Sequence, residues 1–219
     1  MCLFVGHGWI TAKYAQLSAF EFTFTNPRIV LGRTLFMDRQ ELLQRYAEGE
    51  REFAGVDLSQ IDLSNANLTG INLSNANLIL ANLSGARLTQ ANLSGANLIG
   101  VEAIATDLKQ ANLTWAKLIG ATLIESCFTR ASMIEVVMSG ATLERCDLRH
   151  CCLIGADLVG CNLADADISH SNFMNANLSG ADLWQVEMTN TNLHGVQRKN
   201  IKVSNDMMAE FIRQEPLES

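Results

Sequence analysis

From Phe53 onward a large apolar side chain returns at every fifth residue: Phe53, Leu58, Leu63, Leu68, Leu73 and onward to Leu193. No insertion breaks this beat, and only Ala103 weakens it. A period of five fits neither the 3.6 of an α-helix nor the 2 of a β-strand. Two residues before each centre stands a small or modest side chain, usually Ala, as in "ANLSGARLTQANLSGANL" (81–98). The other slots favour Asn or Asp, then Ser or Thr, then Gly, Asn or Gln, all turn formers that tolerate unusual dihedrals. Each unit therefore points one large and one small apolar group inward and then turns a corner. One unit cannot bury its own apolar face, so successive coils must stack into a solenoid, paired at the ~4.8 Å strand spacing. Leu78, Leu98, Leu118, Leu158 and Leu178 are expected in its core, and Arg198, in the next central slot, is expected to end the series.

The units "ANLSG", "ADLVG", "CNLAD" and "ADLWQ" resemble the A(D/N)LXX signature of the pentapeptide repeat proteins, over roughly two thirds of the chain. The resemblance implies an all-β solenoid: a right-handed quadrilateral β-helix with four of these units in each coil. The period of five alone does not establish that coil length. About seven coils at ~4.8 Å each make a rod roughly 35 Å long. Upstream, "ELLQRYAEGEREF" resembles the N-terminal cap of cyanobacterial members.

The remaining segments divide the chain. Residues 1–36 carry no repeat, and are read either as a poorly ordered extension or as sequence upstream of a start at Met37. Residues 37–50 predict a short capping α-helix, because Asp38 and Glu41 form an N-cap signal and Leu42, Leu43, Tyr46 and Ala47 make one apolar stripe. The β-helix is expected over 51–196. A tail over 197–219 follows, where Met207, Met208, Phe211 and Ile212 predict a short helix able to cap the far end or pair with another copy.

Composition narrows the function. The net charge of -7 disfavours direct binding to nucleic acid or to an anionic membrane surface. No run of 18 apolar residues predicts membrane insertion. The six cysteines lack the paired spacing of a zinc ribbon or a secreted scaffold, and read as reduced thiols of a cytoplasmic protein. No G-x-S-x-G, phosphate-binding glycine loop or H-E-x-x-H occurs, and a filled interior leaves no evident pocket, so neither enzyme activity nor a cofactor is expected.

With four units per coil, positions 20 apart become vertical neighbours. Asp147, Asp167 and Glu187 then form an acidic column, read as a solvated face, a cation site or a mimic of nucleic-acid phosphates. His150 and His170 also stack, with Cys152 nearby, as candidates for zinc or copper, although neighbouring columns project in parallel rather than converging. The slot after the centre, usually polar, is apolar in three columns: Ile79, Ile99 and Ile119; Ile134, Ile154 and Met174; and Ile104 and Ile124, ending at Trp184. Stacked apolar residues make patches, and patches suggest partners; ladder packing that merely stiffens the rod is the alternative. The sequence thus reads as a scaffold presenting flat faces to an unidentified protein or to a second copy of itself. The alternative is an acidic DNA mimic that binds a type II topoisomerase (gyrase), as the quinolone-resistance branch of the resembled family suggests.

Overall fold

The computed structural model describes residues 37–204. The segment 1–36 and the tail with Met207, Met208, Phe211 and Ile212 lie outside the described residues.

Helix α1 spans Arg39–Ala47. The Asp38 side chain accepts the Glu41 backbone N–H at 2.8 Å, satisfying a donor that the first turn leaves free. Leu42 is fully buried and packs into one core with Met37 and Phe53. Polar ties fix the helix on the first coil: the Tyr46 hydroxyl donates to the Thr69 carbonyl at 2.8 Å, and Arg39 donates to the carbonyls of Asp62 and Ser64 at 2.6 and 3.1 Å.

From Glu52 the chain winds in coils of four units, because every bridge joins a residue to the one four units further on, always parallel. Glu52 pairs with Asn72, Asn72 with Asn92, and the register holds to the end. A straight segment is too short for two consecutive bridged pairs. Among the described residues only β1 (Asp182–Leu183) and β2 (Lys202–Val203), parallel to each other, form regular strands.

The sequence pattern follows from how the backbone is satisfied. In the unit holding Leu78, Asn77 donates to the Val56 carbonyl of the preceding coil at 2.9 Å. Leu78 and Leu80 donate to the Asn97 and Ile99 carbonyls of the following coil at 2.7 and 3.0 Å. Ala81 donates back to Leu78 at 3.0 Å, closing the turn. The residue after the centre has no such partner, and here the Asn or Asp side chain serves: Ser74 N–H reaches Asn72 Oδ1 at 3.1 Å, and Ser169 N–H reaches Asp167 Oδ1 at 2.9 Å. Where Glu102 replaces the short amide, the Ile104 N–H turns instead to Ser84 Oγ at 3.3 Å. The second turn residue has positive φ throughout the repeat, even as Leu80 (φ 56) and Trp115 (φ 60).

Leu78, Leu98, Leu118, Leu158 and Leu178 point inward and are buried, as is Ala103. Buried Thr106 and Thr191 donate to the Leu83 and Ile168 carbonyls at 2.8 and 2.9 Å, so no buried polar side chain among the described residues lacks a partner.

The far boundary corrects the expectation that Arg198 ends the series and that the solenoid stops at 196. Gln197 still bridges Asn177, and Lys202 and Val203 pair with Asp182 and Leu183. Ile201 and Val203 occupy the inward slots and pack on the core, so one polar centre does not end the ladder.

Candidate functional site

The coil has four sides, each marked by a column of bridged residues. Asn72, Asn92 and Asn112 mark the first; Asn97, Lys117, Val137 and Asp157 the second; Asn82, Glu102 and Thr122 the third; Asp107, Cys127, Asp147 and Asp167 the fourth. The residue after each centre leans back over its own side: Thr129 Oγ1 donates to Asp147 Oδ2 at 3.0 Å and Ser139 Oγ to Asp157 Oδ2 at 2.9 Å.

That lean places Ile79, Ile99 and Ile119 on the second side, Ile134, Ile154 and Met174 on the first, and Trp184 on the third. Exposure separates them. Ile79, Ile99, Ile134, Ile154 and Met174 are half-buried, resting on their neighbours' walls, whereas Ile119 is 41 % and Trp184 52 % exposed. Sequence reasoning missed Leu80, the 58 % exposed neighbour of Ile79, because it sits in a turn slot where Gly or Asn is usual. Val159, also exposed, extends the second side upward. Three of the five large exposed apolar side chains among the described residues (Leu80, Ile119 and Val159) therefore share this side or its corner. The corner itself is bare: glycine recurs at 100, 120, 140, 160 and 180.

The fourth side holds the acidic column, and it is not an open row of negative charge. Arg149 clamps Asp147 with two bonds of 2.9 and 2.7 Å, and its Nε also lies 3.4 Å from Asp167. Hydrogen bonding from Arg149, helped by the Arg149 backbone N–H and Thr129, holds the Asp147 carboxyl well below the usual carboxylate range. Glu187 extends the column and is exposed.

At the adjoining corner the His150 and His170 rings stack, with centroids 5.0 Å apart and planes 10° from parallel. Parallel rings project their nitrogens side by side, whereas a shared metal at ~2.0 Å from each needs them to converge. Cys152 is half-buried on the first side. Among the described residues no three His, Cys, Asp or Glu side chains are grouped to hold a metal ion. Cys146, Cys151 and Cys161 point inward, each thiol 2.9 Å from a backbone carbonyl, and burial pushes their pKa up to about 12. They act as small hydrophobes. No helix among the described residues is long and apolar enough to cross a membrane.

The family model described as pentapeptide repeats matches in 8 copies, over overlapping segments from 57–95 to 156–195. No curated protein sequence matches. Among solved structures, the chain is similar to trypsin-treated QnrB1, a plasmid-mediated fluoroquinolone resistance protein, at 23 % identity and a TM-score of 0.54, covering 74 % of this chain and 84 % of that one. It is also similar to HetL, a protein involved in heterocyst differentiation regulation in the cyanobacterium Nostoc sp. strain PCC 7120, at 26 % identity and a TM-score of 0.30, covering 74 % and 94 %. Rfr23 of the cyanobacterium Cyanothece 51142 shares 24 % identity at a TM-score of 0.24, over 76 % and 97 %.

Proposed function

The chain belongs to the pentapeptide repeat family, whose members fold as right-handed quadrilateral β-helices, and we propose that it is a non-enzymatic interaction module whose second side docks another protein. In this proposal the repeat is a rod of about seven coils, and α1 closes its first end. The observation that carries it is the gathering of Ile79, Leu80, Ile99, Ile119 and Val159 on one side of a rod whose interior is already filled. Covering the three isoleucines removes roughly 100–200 Å² of apolar area, a few kcal/mol at ~25 cal/mol/Å², which supports association without making it tight. Free thiols among the described residues fit a cytoplasmic setting.

The test uses the full chain as bait beside Ile79→Thr/Ile99→Thr/Ile119→Thr, which restores the usual residue type of the slot. We expect superimposable circular dichroism, with at least one protein retained by the wild type and lost by the variant. Identical retention by both would return these residues to ordinary wall packing.

The acidic DNA-mimic reading, in which the chain engages gyrase, rests on the net charge of -7 and the fold shared with QnrB1. The Arg149 clamp weighs against it, because two of the three column carboxylates already face a cation. We expect no inhibition of gyrase supercoiling at micromolar protein. Potent inhibition that vanishes in Asp147→Asn/Asp167→Asn/Glu187→Gln would reverse the ranking.

A further inference from the structure

The kind of partner follows from what the second side offers and what it withholds. It offers an apolar strip over the coils of Ile79, Ile99 and Ile119 that resumes, past Ser139, at Val159, four coil steps or ~19 Å in all on a side about 10 Å wide, with Lys117 and Asp157 at its edge. Its backbone withholds hydrogen bonds. Along the strip's corner, Leu80, Gly100, Gly120, Gly140 and Gly160 all donate their N–H groups to carbonyls of the next coil, at 2.8 to 3.1 Å. Leu78 and Leu98 do the same at 2.7 Å. An extended peptide laid along the strip would leave its own N–H and C=O groups unmatched against a surface already satisfied, which is costly once water is excluded. A partner backbone that satisfies itself avoids that penalty, and the α-helix is that backbone.

Area points the same way. A strip of ~19 by 10 Å covers roughly 200 Å², against about 800 Å² per partner in a standard stable interface. A second copy held by this strip alone would fall short of a stable dimer, whereas a weak contact with one helix fits so small an area. One helix is about 10–12 Å wide with side chains, and its apolar stripe is similarly narrow. Its pitch of about 5.4 Å lies close to the ~4.8 Å coil spacing, so apolar residues on successive turns meet successive coils.

The corner supplies the shape. A Cβ built on Gly120, Gly140 or Gly160 would meet nothing within 4 Å, so the backbone there forms an uncovered shoulder beside the ridge of Ile99, Ile119, Ser139 and Val159. At the lower end Leu80 leans over Gly100, its Cδ2 only 2.8 Å from where a Cβ would stand, and closes the strip. We infer that the second side is a docking strip for an amphipathic α-helix of a partner protein, about 13 residues long and parallel to the rod axis. This rests on the interaction reading above.

The experiment selects displayed random peptides, each long enough for about four helical turns, on the full-length chain and counter-selects them on Ile79→Thr/Ile99→Thr/Ile119→Thr. Enriched peptides should carry apolar residues at the helical period and gain helicity on binding. One of them, synthesised, should bind Gly140→Arg roughly ten-fold more weakly, since that side chain covers the shoulder and spares the ridge. Arginine fits this turn slot, as Arg130 (φ 62) and Arg145 (φ 56) show on other sides. Peptides with alternating apolar residues, or helical ones indifferent to Gly140→Arg, would overturn the helix while leaving the interaction module standing. No enrichment, with a wild-type dimer that the isoleucine variant abolishes, would give the strip to a second copy. No enrichment and no self-association would remove both readings.

Discussion

Leu118 stands midway along the repeat, 1 % exposed, with Leu98 in the coil before it and Met138 in the coil after, both buried. Leu118→Ala removes three buried carbons from a column that cannot collapse, because its backbone is pinned on both sides. Leu118 donates to the Val137 carbonyl at 2.7 Å, and Lys117 to that of Ala96 at 3.0 Å. Transfer and cavity together should cost about 2–5 kcal/mol. At ~2–4 °C per kcal/mol for a domain of this size, the midpoint should fall by roughly 6–12 °C for a mid-range loss of ~3 kcal/mol. Leu118→Asp adds a buried carboxyl with no partner and should prevent folding. The control is Asn112→Asp, on the outer face. Its carboxylate keeps the cap that Asn112 Oδ1 makes with Thr114 N–H at 3.1 Å and loses only the 3.4 Å amide bond to Asn92, a change within about 1 kcal/mol. The assay is thermal melting by circular dichroism for all three variants. If Asn112→Asp melts as low as Leu118→Ala, the assignment of inward and outward slots is wrong.

Two further outcomes are expected. Asp147 has its carboxyl pKa lowered in the folded chain, chiefly by Arg149, so its stabilisation is complete above the ordinary carboxylate range and is lost as pH falls through and below it. Arg149→Gln should flatten that acid limb of a stability–pH curve, and an unchanged limb would mean that the clamp is slack. Cys146, Cys151 and Cys161, raised to about 12, should resist iodoacetamide at mildly alkaline pH in the native protein and react only on denaturation, as followed by mass spectrometry. Half-buried Cys127 and Cys152 should be labelled before them.

Much of the architecture is legible because the code is local. The inward Ala and Leu slots, and the Asn or Asp whose side chain caps the next turn, all act within one unit or its neighbour and so leave a trace with a period of five. The length of the coil is a different matter, since it is fixed by bridges such as Asn72↔Asn92, and no single unit reports how many turns close the square. The candidate faces were harder still. A column in the sequence tells which residues stack but not how far each sinks into the wall, so Ile79 and Ile119 look alike on paper and differ in exposure. Arg149 sits two residues from Asp147, a spacing that announces nothing until the lean of that slot brings it over the column. Arg198 is the opposite case: one charged centre looks like a stop in the sequence, whereas Ile201 and Val203 still fill the inward slots beyond it.

The strict pairing of each residue with its counterpart one coil on also sets how such a chain can change length. Removing one whole coil would shorten the rod and leave every column aligned with itself. Removing a single unit of five would keep all inward slots filled, yet turn everything downstream by a quarter revolution. Cut below Ile119, such a loss would carry it and Val159 away from Ile79 onto the neighbouring side, with the hydrophobic core intact. A stability screen would pass that protein while its docking strip had been severed, so in this fold the core keeps its register in steps of one repeat but a surface keeps its own only in steps of a whole coil.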